Sequence, residues 1–548
     1  MRVATTTNNK NLRLTALASG IALIALVWTV QARAQAAGGA PQALPAAPAT
    51  AATFRLNDLR LNGAQALTSE ELRSTTQPYI GRDVTLADLE TLAKAITQRY
   101  RDRGFFLATA VVPVQTVQGG IVEISVIEGR LGKVDVTVAP DAPYTEARVR
   151  GFIAPLVPGQ AVNAQNYERA MLLLSDQPGV RVSSGLSEGT QTGTTDLAIE
   201  VVAAPRYAFT AEADNNGTKE TGRYRVGGTA RWLSPLGIGD NLDARVMVSN
   251  NNALQLGRLS YEAPLGTNGL RIGFGAARVS YELGGEFEQL GAHGRADVFD
   301  VSLNYPVIRQ RQQNLFVRLS ADSKSLTDDF SEVNFQSRKR VRGLGLGWTW
   351  ERRDDVLGGG YWASSGNLYR GSLTIRDADT RLADQAVGGR NTEGSFTKST
   401  FQVSRLQAVI PRHSVYMSVG GQWANKNLDA SEKLSLGGAR AVRAYSANEA
   451  LVDTGLIGTV EWRWAVNDEV TPFVFYDAAR GRPARHRTIF DTGPTSRSLR
   501  GYGVGVSWSR AGNFAINATL AWRDGTPAGV TDGGGHNPRL FVQAQKSF

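Results

Sequence analysis

Residues 514–523 read Phe514-Ala515-Ile516-Asn517-Ala518-Thr519-Leu520-Ala521-Trp522-Arg523. Phe514, Ile516, Ala518, Leu520 and Trp522 fall on one face of an extended chain. Small and polar groups and Arg523 fall on the other. The same alternation runs back to Arg206. Tyr224, Val226, Gly228, Ala230 and Trp232 interleave with Arg223, Arg225, Gly227, Thr229 and Arg231. Phe299, Val301, Leu303 and Tyr305 interleave with Asp300, Ser302 and Asn304. A soluble sandwich alternates in this way too. Two features favour a barrel facing lipid. Many of the strands run about 10 residues, and Trp232, Tyr305 and Trp522 stand at strand ends, where an aromatic girdle forms.

Strand counting sharpens this reading. Strands are predicted near 206–213, 222–232, 240–249, 254–263, 269–281, 296–305, 314–323 and 340–351. They continue near 363–375, 398–408, 414–423, 456–465, 470–478, 499–509, 513–523 and 539–548. That is sixteen, an even number, as an antiparallel barrel with both termini on one side requires. The connections mostly alternate in length. Short ones include 233–239, 264–268, 409–413, 466–469 and 510–512. Long ones include 282–295, 324–339, 376–397, 424–455, 479–498 and 524–538. Only the second outer connection, 250–253, is short. A sandwich has no reason to alternate so. The last strand carries Leu540, Val542, Ala544 and Phe548 on one face, interrupted by Lys546, which can snorkel.

The rest of the chain is organised differently. Residues 1–34 read as an export signal, with Arg2, Lys10 and Arg13 before an apolar run and Ala32-Arg33-Ala34 as its cleavage triplet. Residues 35–53, almost all Ala, Pro, Gly and Gln, read as a linker. They are too short and proline-rich for a plug helix. Residues 54–204 repeat one β-α-α-β-β unit, as 54–129 and 130–204. In the first copy Thr68 and Thr85 open helices, the second with apolar positions Leu86, Leu89, Ala93, Ile96 and Tyr100. Phe106–Val112 and Ile121–Ile127 are its closing strands. In the second copy, strands Val180–Leu186 and Thr195–Val202 follow the helices.

Composition sets outer limits. The chain has 548 residues, 42% hydrophobic and 20% charged, which excludes a disordered polymer. The mean hydropathy is −0.22 and the one long apolar run is N-terminal, which excludes a polytopic helical membrane protein. Cysteine is absent, so disulfides, zinc fingers and thiol catalysis are excluded. Of the net charge of +10, four positive charges belong to the leader, and the remaining excess falls in the alternating region. An exported chain with arginines spread at strand spacing does not suggest nucleic acid. It suggests a basic lumen or contact with lipopolysaccharide. The four histidines, His293, His413, His486 and His536, fall far apart in loops or turns. No HExxH, GxSxG or phosphate-loop motif occurs, so no enzyme, cofactor or metal site is expected.

Several segments carry a resemblance. The size and order of the repeat resemble POTRA domains. The runs Val111-Val112-Pro113-Val114-Gln115, Gly120–Ile124 and Val126–Arg130 are similar to the first POTRA of two-partner secretion transporters, such as those of filamentous haemagglutinin and haemolysin. Gly437-Gly438-Ala439-Arg440-Ala441-Val442-Arg443-Ala444-Tyr445 resembles the VRGY/F motif of the POTRA-barrel superfamily. The resemblance implies that loop 424–455, the sixth outer loop, folds into the barrel. It implies too that Arg443 pairs with Asp477 on the thirteenth strand, beside Phe475. Glu461 is placed to share that arginine. Ala444 and Ala479 stand where the motifs have glycine, which suggests a shifted backbone, because alanine tolerates positive φ poorly.

The fold expected is therefore an all-β transmembrane barrel of 16 antiparallel strands, 205–548, behind two periplasmic α+β POTRA domains. The implied function is export of an unfolded, β-helical adhesin- or haemolysin-like exoprotein through the outer membrane of a Gram-negative cell, without nucleotide hydrolysis. The POTRA edges Leu107–Val112 and Val180–Leu186, with Leu107, Val111, Val112, Val180 and Val182, are the candidate client contacts by strand addition. Phe548 is the candidate signal to the barrel assembly machinery, with periplasmic chaperones as further partners and outer-membrane lipid as surroundings. The alternatives are an assembly factor that inserts other barrels and a passive solute porin.

Overall fold

The computed structural model describes residues 52–489, 491, 493–525 and 537–548. The leader, most of the 35–53 linker with its expected lack of a plug helix, and His536 lie outside them. The chain divides into two compact units, 1–129 and 130–548.

In the first unit Asp58–Asn62 pairs in parallel with Ile121–Ile127, which pairs antiparallel with Thr109–Val111. Helices Ser69–Thr76 and Leu86–Asp102 cover one face of this sheet. Each starts at a threonine whose hydroxyl accepts from the third amide while the carboxylate of Glu71 or Asp88 accepts from the threonine amide. Leu72, Leu92, Ile96, Tyr100, Val122 and Ile124 form the core. Leu86 does not belong to it. It is the first helical residue and is exposed, and Leu92 takes the place in the stripe. Glu128 is buried and accepts from the amides of Gln65 and Ala66 at 2.6 Å and from the Tyr100 hydroxyl at 2.9 Å.

The second unit joins a similar module to the barrel. Its sheet runs Arg130–Val138, Thr194–Ala203, Val180–Glu188, under helices Glu146–Phe152 and Ala164–Ser175. The module is docked on barrel turns. Arg309 donates twice to Asp176, at 2.7 and 2.8 Å. Arg169 donates to the Pro306 carbonyl at 2.8 Å, and Thr267 to the Gly151 carbonyl at 3.0 Å. These turns define the near end of the barrel.

Sixteen antiparallel strands close the barrel, as expected. They are β1 Tyr207–Asp214, β2 Arg225–Leu233, β3 Asn241–Ser249, β4 Leu254–Pro264, β5 Arg271–Glu282, β6 Ala292–Arg309, β7 Gln313–Phe330 and β8 Phe335–Asp354. They continue as β9 Gly360–Ile375, β10 Gly394–Ile410, β11 His413–Ala424, β12 Thr454–Trp464, β13 Val470–Arg482, β14 Arg497–Arg510, β15 Phe514–Arg523 and β16 Arg539–Ser547. Closure pairs Gln543–Ser547 with Thr210–Asp214, and the Phe548 amide donates to the Phe209 carbonyl at 2.9 Å. Val246, Phe299, Leu344, Leu346, Val504 and Leu540 are exposed on the outer wall, as a lipid-facing surface requires.

The far end departs from the sequence reading. Strands β6, β7, β8 and β10 extend past their expected limits at this end, and the expected loop 324–339 shrinks to the tip Ser331–Asn334. Beyond the apolar belt these strands are polar on both faces, so the alternation that reveals a strand stops while its hydrogen bonds continue.

The helix caps make a pH prediction. Backbone hydrogen bonding from Thr85 holds the Asp88 carboxyl below its ordinary 3.8. A folded value below the unfolded one stabilises the fold above the unfolded value, and that contribution is lost as pH falls through the folded value. Urea melts of the first unit's signal in the full chain are expected to shift to lower midpoint as pH falls below about 4. Asp88→Asn is expected to remove part of that pH dependence. Thr85→Ala is expected to cost about 1 kcal/mol at neutral pH.

Candidate functional site

The loop between β11 and β12, residues 425–453, folds into the barrel. Its centre is a tight turn. The Val442 amide donates to the Leu436 carbonyl at 3.1 Å, and the Gly438 amide to the Val442 carbonyl at 3.3 Å. Gly438 has φ +115°, which a side chain disfavours. A Cβ on Gly437 would stand 2.5 Å from the Ser446 carbonyl oxygen. Both glycines are therefore required by the turn, and Val442, Arg443, Ala444 and Tyr445 are all buried.

The turn aims Arg443 at the wall. Its Nε and Nη2 donate to the two carboxylate oxygens of Asp477, each at 2.8 Å. The Arg443 amide donates to Asp477 at 3.1 Å, and the Thr459 hydroxyl donates to it at 2.9 Å. Nη1 donates to Glu461 at 2.7 Å, and the second oxygen of Glu461 accepts from Arg463 at 2.6 and 2.8 Å. The guanidinium lies 3.5 Å over the Phe475 ring. Asp477 is 0% exposed and Arg443 8%. The structure thus brings Gly437, Gly438, Val442, Arg443 and Tyr445 together with Asp477, Phe475 and Glu461.

A carboxylate in such surroundings is costly unless its lone pairs are filled, and here Asp477 accepts four hydrogen bonds. Removing one member of a buried pair of this kind costs about 3–5 kcal/mol, because the other is left charged and alone.

The two alanines that replace motif glycines do not strain the loop. Neither Ala444 nor Ala479 has positive φ. The accommodation lies across the gap. On β14, Gly501, Gly503 and Gly505 turn a row of bare backbone inward. A Cβ on Gly501 would stand 2.6 Å from Ala444 Cβ. On Gly503 or Gly505 it would strike the ring of Phe475 or Phe473, at 2.5 and 2.3 Å.

Other anchors have no sequence signature. Glu432 is 2% exposed and pairs with Lys324 at 2.7 Å and Lys398 at 2.9 Å. Asp429 pairs with Lys339 at 2.9 Å, and the fully buried Asp453 with Lys433 at 3.0 Å. Lys324 and Lys339 stand on the strand extensions, so the partner surface was itself hidden from the sequence. Thr459 and Arg463 were visible only as polar residues of β12.

The POTRA edges are placed as follows. Val180 and Val182 lie on an edge strand whose one side pairs with Thr194–Ala203. Val111 ends the edge strand Thr109–Val111, and Val112 follows it. Leu107 is not on that edge. It sits in the preceding turn, against Gly129, because the chain leaves helix Leu86–Asp102 through a turn before pairing begins. Phe548 is 74% exposed at the β1–β16 seam. Among the described residues, no group of three or more His, Asp and Glu is arranged to hold a metal ion.

Residues 193–508 match the haemolysin secretion/activation proteins ShlB/FhaC/HecB, and residues 54–129 match the ShlB-type POTRA domain. The chain belongs to this family. It is a family of two-partner secretion transporters of the outer membrane. Relatives include the heme/hemopexin transporter protein HuxB of Haemophilus influenzae, 28% identical, with 83% of this chain and 81% of the relative covered. The outer membrane transporter CdiB of Escherichia coli is 23% identical over 74% of this chain and 69% of its own. The solved CdiB structure from Escherichia coli shares the fold, with a TM-score of 0.73 at 19% identity over 92% and 93% of the two chains. A BamA structure from Haemophilus ducreyi shares it more distantly, at TM-score 0.53 and 13% identity.

The glycine row gives a test of the loop seat. Gly501→Val puts two methyl groups where Ala444 lies. Limited proteolysis of intact cells is expected to cut loop 425–453 in this variant and spare it in the parent chain. Both barrels are expected to remain heat-modifiable on gels.

Proposed function

We propose that this family member secretes one unfolded, β-rich exoprotein, with the POTRA modules in the periplasm, and that the Arg443–Asp477 pair holds its channel closed at rest. The observation that carries the reading is the loop itself: a buried, charge-paired segment occupying the lumen of a barrel with a POTRA module docked at one end. A passive porin has no use for such a module, and a route for an extended chain requires the loop to move. Relatives are named as transporters, so transport rather than catalysis is the activity assigned.

The client would first add a strand to a POTRA edge. At Val180–Glu188 the backbone groups on one side are unpaired within the sheet, and Val182 and Leu186 are half-buried beside helix Ala164–Ser175. Main-chain pairing would supply affinity, and the groove beside the helix would supply selection. Folding of the client outside would then oppose its return. The chain's own insertion would pass through the barrel assembly machinery, with Phe548 as the terminal signal.

Arg443→Ala is expected to abolish secretion of the cognate exoprotein while a heat-modifiable barrel stays in the outer membrane. Normal secretion by that variant would sink the proposed role. The exchange Arg443→Asp with Asp477→Arg is expected to recover part of the loop protection that either single change loses. Deletion of 54–204 is expected to leave a barrel that secretes nothing. Unchanged secretion there would overturn the POTRA-dependent reading.

A further inference from the structure

The outer wall carries a cluster of arginines without carboxylates. Strand pairing fixes its facing. On β8 the outward column runs from the near end through Trp348, Leu346 and Leu344, all exposed and apolar, and then through Arg342, Arg340 and Arg338. On β9 the neighbouring column runs through Leu368, then Arg370, Ser372 and Thr374, and Arg376 continues it. Arg342 sits opposite Ser372 and Arg340 opposite Thr374, while Arg370 sits opposite Leu344. The Arg376 amide donates to the Arg338 carbonyl at 2.8 Å, so these two share the next rung.

Arg338 is accounted for. It donates to Asp377 at 2.8 and 2.9 Å. Arg340, Arg342, Arg370 and Arg376 have no carboxylate partner among the described residues. Their polar neighbours are hydroxyls. Arg340 Nε donates to Ser325 at 3.4 Å, and Arg370 Nη1 to Thr397 at 3.4 Å, while Ser323 and Ser372 flank Arg342. The pattern differs on β5 and β6. There Arg278 and Arg295 also face outward, but both pair with Asp297, at 2.6 and 3.1 Å.

Successive outward residues on one strand are about 7 Å apart, and cross-strand neighbours about 5 Å. Four guanidiniums at these spacings repel one another, so the fold alone does not explain them. An anion with several acceptor oxygens would resolve the repulsion, and guanidinium forks match phosphate geometry.

Position selects the source of the phosphate. The cluster begins level with Leu344, at Arg370, and continues beyond it, at the far end from the docked POTRA module. Given the outer-membrane reading, on which this inference rests, that is the headgroup level of the outer leaflet. A ligand bound here would keep its acyl chains on Leu344, Leu346, Trp348 and Leu368 while its phosphate met the arginines. We propose that Arg340, Arg342, Arg370 and Arg376 form a binding site for the phosphorylated headgroup of an outer-leaflet glycolipid.

The test uses the full chain purified in detergent and loaded with defined lipid A, read by native mass spectrometry. Bis-phosphorylated lipid A is expected to bind at least about tenfold better than its dephosphorylated form, since charge-assisted contacts carry the recognition. The variant Arg340→Gln/Arg342→Gln/Arg376→Gln is expected to lose that preference while remaining heat-modifiable. Equal binding of the two lipids, or an unchanged preference in the triple variant, would overturn the site. Inorganic pyrophosphate is the control for a free-phosphate site. Competition by micromolar pyrophosphate would overturn the lipid assignment, and failure to compete would support it. Arg443→Ala tests secretion and lies outside the patch, so it is expected to keep the lipid preference. Loss of the preference in that variant would also overturn the assignment.

Discussion

A single buried ion pair organises the centre of this molecule. Arg443 and Asp477 are both nearly or wholly removed from solvent, and each satisfies the other through two parallel hydrogen bonds. Neither charge is tolerable there alone. The consequence spreads outward. The turn Leu436–Val442 must be tight enough to present the guanidinium, which requires Gly437 and Gly438. The wall opposite must be flat enough to admit the turn, which requires Gly501, Gly503 and Gly505. The aromatic rings of Phe473 and Phe475 then fill the space between wall and guanidinium. Glycine at 437, 501, 503 and 505 is explained by approach distance, and at 438 by its positive φ.

How much of this was legible in the sequence depends on which face a residue serves. The sixteen strands were readable because lipid on one side and a polar lumen on the other impose a period of two. The reading failed where that contrast ends. Past the belt, residues 324–330 read Lys-Ser-Leu-Thr-Asp-Asp-Phe, with no apolar alternation, yet they pair in register with 335–341. Hydrogen bonds of the ladder carry no side-chain signature. The Arg443 site was legible through the family resemblance, which a glycine pair, a loop ordinal and an aspartate on the thirteenth strand together supported. The Glu432 anchor was not, since its lysine partners come from strands distant in sequence and one of them from a strand extension. Leu107 shows a smaller version of the same limit. An apolar residue before a strand looks like part of it until the turn is seen.

The expected cost of Ala444 is instructive. The motif comparison suggested that a missing glycine would displace the backbone. The backbone has no positive φ there, and the methyl group is received by the bare backbone of Gly501. A side chain gained on the loop is matched by a side chain absent from the wall. Arguments from one strand alone miss this, because the compensation sits on a strand reached only after the barrel closes.

The loop is held by more than one charge. Asp429, Glu432 and Glu449 are each nearly buried and each faces a lysine or arginine of the wall, while Lys433 and Asp453 pair within the loop itself. Such an arrangement is strong only while it stays dry. At about 4 Å an ion pair is worth about 1 kcal/mol in bulk water and several times that in a protein interior. A client that merely pulled on the loop would have to break all of the wall pairs at their interior strength. A client that first admits water weakens every one of them at once, because each separated charge can then be hydrated. On the proposed reading, the same pairs that hold the loop at rest would make its release cooperative with wetting of the lumen.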